Sequence, residues 1–209
     1  MALQRSWVAV LLAMALLAAH AAAQQKNEVA VVVGRIFVDG QKVPNTNFFN
    51  NTVNFGEGLT FEGSYGRRIK GGEFAALTFE VPVLFTPDQQ LNYGINTIPE
   101  SYKAFFVTPS LRASIFAANA VSPWVSFGGG FGHFSESSTL VFGGPNPGKT
   151  GTTTGVFQIG VGADVRIWKN FSLRGEWRDY SSGVPQLNVN TGKSRQSNYF
   201  VGGGVVWHF

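Results

Sequence analysis

Eight segments of this chain change character at every second residue, and the links between them run alternately long and short. The segments span residues 28–39, 53–66, 73–85, 102–116, 123–134, 155–168, 171–180 and 197–209. Links 41–51, 86–101, 135–153 and 181–196 are long, whereas 67–72, 117–122 and 169–170 are short. A period of two means a β-strand with two unlike faces. In the sixth segment Phe157, Ile159, Val161, Ala163, Val165 and Ile167 stand against Gln158, Gly160, Gly162, Asp164 and Arg166. In the fourth, Phe105, Val107, Leu111, Ala113 and Ile115 oppose Phe106, Thr108, Ser110, Arg112 and Ser114, and Pro109 between them predicts a bulge. The last segment carries Tyr199, Val201, Val205, Trp207 and Phe209 on one face, aromatic at both ends. A soluble sandwich gives no reason for such regular links, nor for so many apolar faces to cover.

The amino end indicates where such a chain resides. Arg5 precedes an apolar run from Trp7 to Ala19, and Ala21-Ala22-Ala23 offers a small-residue cleavage site. That layout is a secretory signal peptide over residues 1–23, leaving one domain over 24–209. Beyond it no apolar stretch approaches the ~18 residues that a spanning helix needs. An integral protein would have to cross with strands, and in hydrocarbon those strands must close on themselves to satisfy their backbone groups. The chain has no Cys, so the fold must hold without disulfides. The fold class expected is all-β: an eight-stranded antiparallel up-and-down transmembrane β-barrel, with outer-membrane lipid as its surroundings. Gly 26 and Phe 19 suit walls that are bulky outside and small inside.

A barrel of that size is just wide enough to be filled by side chains. Arg35, Glu62, Glu80, Arg112, Asp164, Arg166, Arg174, Glu176 and Arg178 are placed inside, where mixed signs must pair because an unpaired buried charge costs several kcal/mol. A network with small gaps is expected, not a wide channel. The remaining charges are scattered, the longest basic run being Arg67-Arg68-Ile69-Lys70, and the full chain carries only +4. Nucleic acid is therefore not an expected partner.

Gly160 to Tyr180 holds Gly-x-Gly, then Asp164-Val165-Arg166, a turn at Lys169-Asn170, and Leu173-Arg174-Gly175-Glu176-Trp177-Arg178. This stretch resembles the penultimate hairpin of small eight-stranded outer-membrane proteins of the OmpA-barrel and opacity-protein type. The final segment is similar to their terminal strand, in which Tyr199, Val201, Val205, Trp207 and Phe209 would be the signal read by the barrel-insertion machinery. The resemblance implies a bacterial outer-membrane location and a role in envelope integrity or adhesion, with a passive narrow pore or hydrophobic-solute conduit as the alternative. No peptidoglycan-binding domain follows Phe209, so a cell-wall tether is not expected, and the loops name no extracellular partner.

Enzymatic readings fare poorly. Some barrels of this size are lipid A deacylases of the PagL type, with a His-x-Ser pair on the penultimate strand. Here that place reads Asp179-Tyr180-Ser181, and an exposed Asp is too acidic to activate a hydroxyl. His133-Phe134-Ser135-Glu136 has the letters but lies at the top of the fifth strand. Gly143 to Thr150 matches the spacing of a phosphate loop, yet strand rather than helix follows it. Outside the signal the only histidines are His133 and His208, the latter expected at the barrel rim. No catalytic, cofactor-binding or metal site is expected.

Overall fold

The computed structural model describes residues 26–44, 50–72 and 74–209; the expected signal peptide lies outside them. The strands are β1 (Asn27–Val38), β2 (Gln41–Lys42), β3 (Thr52–Phe55), β4 (Gly58–Gly71), β5 (Ala75–Asn92), β6 (Ser101–Val107), β7 (Ser110–Ile115), β8 (Val121–Glu136), β9 (Thr152–Trp168), β10 (Phe171–Gly183) and β11 (Arg195–His208). The small β2 and β3 belong to the first long loop. β6 and β7 are two halves of one wall strand, since both pair with β5 on one side and β8 on the other.

Counted so, the wall is a ring of eight antiparallel strands in the order β1, β4, β5, β6/β7, β8, β9, β10, β11. It closes where β1 pairs with β11, from Glu28 opposite His208 to Val38 opposite Asn198. Asn27 and Phe209 extend the seam by exchanging two backbone bonds of 2.9 Å. The break between β6 and β7 falls at Thr108-Pro109, because proline has no donor for the ladder. Gly128 and Gly130 on β8 accept the displaced backbone: a Cβ on either would strike the carbonyl of Pro109 or Val107.

Strands reach further than the alternation alone predicts. β4 continues through Gly71, and β5 continues to Asn92 across a register shift between Thr86 and Gln89, in a region read from sequence as loop. The connections still alternate: tight turns at one end, long loops at the other.

The outward face is apolar. Val31, Phe127, Phe157, Val161, Val201 and Val205 are all exposed, and Trp168, Phe171 and Trp207 ring the short-turn end. In a water-soluble protein this surface would be an aggregation site; in a bilayer it is the contact with lipid.

Candidate functional site: the barrel interior

Three layers fill the barrel. Nearest the loops is an apolar plug. Ile36, Leu84, Phe106, Phe134 and Phe200 point inward from the wall, and loop residues Tyr93, Ile98 and Leu187 drop onto them. The loops are tied together above: Asn188 donates to Thr97 O at 3.2 Å and Asn146 Oδ1 at 2.7 Å, and Gln41 donates to Gln196 at 2.9 Å. This end is closed.

Tyr180 joins the plug to the layer beneath. Its ring stacks on Phe106 with centroids 5.5 Å apart, while its hydroxyl donates to Glu62 Oε2 at 2.7 Å. Below lies a network of buried charges. Arg178 reaches Glu62 at 3.4 Å, Glu80 at 2.9 Å and Glu176 at 3.1 Å. Arg112 meets Glu80 at 3.0 Å, Asp164 at 3.0 Å and, in close contact, Glu28. Arg174 meets Asp164 at 2.7 Å and Glu28 at 3.1 Å. The Trp124 ring stands among the three guanidinium groups, 5.1–5.5 Å from each, and its Nε1 donates to Asp164 at 3.3 Å. Such cation–π contacts strengthen as water is excluded. Ser110, Ser126 and Gln158 fill the gaps with hydrogen bonds of 2.8 and 3.0 Å.

The network joins Glu62, Glu80, Arg112, Asp164, Arg174, Glu176 and Arg178. Two residues expected inside do not join it. Arg35 points outward near the loop end and pairs with Glu57 at 3.2 Å, the two side chains being 60% and 58% exposed. Both faces of β1 are apolar at this height. Val32 and Ile36 take the inside because they pack into the plug, which leaves Arg35 at the lipid boundary. Arg166 sits at the mouth of the short-turn end, exposed, donating to Ala117 O at 3.3 Å. Conversely, Glu28 and Trp124 belong to the network and sequence reasoning gave them no part in it. For Trp124 the signal was available, since Ser126, Gly128 and Gly130 share its side of the strand.

At the short-turn end a polar cavity opens, lined by Arg68, Thr78, Ser114, Arg166, Ser172 and His208 among others, with Glu28, Arg112 and Asp164 at its floor. Ser172 Oγ lies 3.0 Å from His208 Nε2, and His208 Nδ1 lies 3.7 Å from Glu28 Oε2. The order is that of a nucleophile, base and orienting acid. The last distance is too long for the hydrogen bond that fixes a catalytic imidazole, and the cavity measures only about 30 Å³. An acyl substrate has no room there. The other hydroxyl sites are no better arranged. His133 contacts Thr153 at 2.8 Å, and Glu136 accepts from the Gln186 backbone at 2.7 Å. Asp179 accepts from Ser197 at 3.1 Å. Gly143 and Gly144 adopt φ of 92° and 90° in a loop that feeds β9, not a helix. No group of three or more metal-ligating side chains occurs among the described residues.

The outward face of β11 carries Val201, Val205 and Trp207, with Tyr199 half-buried beside Trp177 and Phe209 against Trp207 at 4.7 Å between centroids.

A family model described as outer membrane protein beta-barrel domain matches residues 9–209. No curated protein matches. Among solved structures, Neisserial surface protein A is similar at 14% identity and a TM-score of 0.54, over 88% of this chain and 97% of that one. OprG of Pseudomonas aeruginosa is similar at 8% identity and a TM-score of 0.51, over 88% and 96%. The outer membrane enzyme PagL also matches, at 15% identity and a TM-score of 0.42, over 85% and 97%.

Proposed function

Since the chain belongs to the outer membrane protein β-barrel domain family, we propose that it works as a non-enzymatic, non-conducting barrel, serving envelope integrity or adhesion from the bacterial outer membrane. The filled interior carries this reading. An ion entering from the loop side would have to part Phe106, Phe134 and Phe200 and then break the arginine–carboxylate network. Each step exposes groups whose burial contributes kcal/mol, so spontaneous opening is rare. The Ser172–His208 pair has its nearest carboxylate, Glu28, 3.7 Å from Nδ1, too far to orient the ring, which supports a role without chemistry.

The signal peptide over 1–23 delivers the chain to the periplasm, and the insertion machinery reads the outward face of β11 ending at Phe209. The short turns then face the periplasm and the tied loops face outside, as the family's rule requires. Adhesion would use the loop surface, where Phe142 is exposed.

Planar-bilayer recording tests the central claim. The purified, folded chain is expected to give no stable conductance steps. Reproducible ohmic steps would replace this reading with the narrow pore.

A further inference from the structure

We propose that the periplasmic mouth of the barrel is a binding site for an oxyanion, a phosphate or carboxylate group, clamped between Arg68 and Arg166.

Inside the barrel every guanidinium is answered by carboxylates: Arg178 by three, Arg112 by three, Arg174 by two. Arg68 and Arg166 line the mouth cavity, and neither forms an ion pair among the described residues. Arg166 spends one bond on a backbone carbonyl, and Arg68 is half-buried. They come from β4 and β9, which stand four strands apart in either direction round the ring. The two charges therefore face each other across the opening. Two cations lining one small cavity repel, and an anion between them turns that repulsion into attraction.

The carboxylates on the floor do not oppose this. Glu28 and Asp164 are each held by both Arg112 and Arg174. The walls supply polar groups suited to oxygen: Ser114, Asn119, Ser172 and His208. Lys26, Arg67 and Lys70, exposed at the same end of β1 and β4, add positive charge around the rim. A basic rim over a low-dielectric body concentrates anions at the opening. The other end is sealed by the plug and the tied loops, so a ligand reaches the interior only from this side. Guanidinium groups suit the task because their fork matches phosphate and carboxylate oxygens.

His208 is a reporter built into the site. It lines the mouth, whereas His133 lies at the opposite end on the outer face. The full mature chain in detergent, in phosphate-free buffer at fixed pH, is titrated with inorganic phosphate while the two imidazole NMR signals are followed. The expected result is a saturable shift of the His208 signal with none at His133. The pair Arg68→Gln/Arg166→Gln weakens it at least tenfold, and Arg68→Lys/Arg166→Lys retains it; slower migration after boiling verifies that each variant is folded. Nanodiscs of phosphatidylglycerol or phosphatidylcholine then separate two sources. A His208 signal already shifted in the anionic lipid without added phosphate assigns the site to lipid headgroups, and a shift only on adding phosphate assigns it to a soluble or polymer-borne anion. A shift that fails to saturate, that appears equally at His133, or that survives in the glutamine pair overturns the proposal.

Discussion

Arg178 should be the least replaceable charge in the barrel. Glu28, Glu80 and Asp164 each touch two arginines, so losing one leaves another. Among the described residues Glu62 and Glu176 form ion pairs with Arg178 and no other arginine. The substitution Arg178→Met keeps the volume and the rotamer freedom but strands two buried carboxylates. Breaking a buried pair by removing one partner costs about 3–5 kcal/mol. Arg112→Met removes as many contacts, yet each of its acids keeps a second arginine, so the loss should be nearer ~1–3 kcal/mol, the cost of incompletely satisfied groups. With a urea dependence of ~2 kcal/mol per M, the unfolding midpoint should fall by ~2 M for Arg178→Met and by less than ~1.5 M for Arg112→Met. The assay is urea unfolding in lipid vesicles, read by tryptophan fluorescence and by mobility on a cold gel. Adding Glu62→Gln and Glu176→Gln to Arg178→Met should recover much of the loss, because the stranded charge is then gone. Equal midpoints for the two arginine variants, or no recovery in the triple variant, would show that pairing in the network is not apportioned as the distances indicate.

Three further substitutions have outcomes fixed by the same geometry. Gly34→Ala should collapse the yield of folded protein: its Cβ would come within 2.7 Å of Gly202 Cα and of the Phe200 ring, and also meet the Val201 carbonyl, where backbone cannot give way. Gly63→Ala, whose Cβ meets nothing within 4 Å, should instead gain ~0.5–1 kcal/mol from the stiffer chain, both read as the folded fraction on a cold gel. Arg35→Gln should shift the urea midpoint by no more than ~0.5 kcal/mol equivalent, since its ion pair with Glu57 is exposed and such pairs contribute little.

The eight wall strands were legible because lipid outside and a narrow lumen inside impose opposite chemistry on alternate residues. Where both environments are apolar the signal vanishes. That is why Arg35 was misplaced: near the plug, Val32 and Ile36 face inward as comfortably as Val31 and Val33 face lipid. The plug itself was hidden for a related reason. Phe106, Phe134 and Phe200 keep the period of two, but the preferred character of the inner face changes with height, and alternation reports phase rather than height. Strand ends were underestimated because the ladder outruns the membrane; Pro87 and Asp88 look like loop but sit in β5, where the register shift absorbs them. Glu28 was overlooked at the first turn of β1, where a charge at a strand end reads as solvated. Its partners Arg112 and Arg174 lie on other strands, 84 and 146 residues away in sequence.

The network is better understood as a device for registration than for raw stability. Buried ion pairs often contribute no more than well-packed apolar groups of the same volume. Yet every wall strand places at least one member in or beside this layer: Glu28 from β1, Glu62 from β4, Glu80 from β5, Arg112 from β7, Trp124 from β8, Asp164 from β9, Arg174, Glu176 and Arg178 from β10 and His208 from β11. A slip of one residue in any strand turns its member toward lipid and leaves partners on distant strands uncompensated. An all-apolar lumen would carry no such penalty, because leucine packs against lipid as readily as against the core. Oil lies on the outside of this barrel, so the hydrophobic effect cannot distinguish the two faces of a strand. Charge inside the barrel is what makes one register of closure far better than its neighbours.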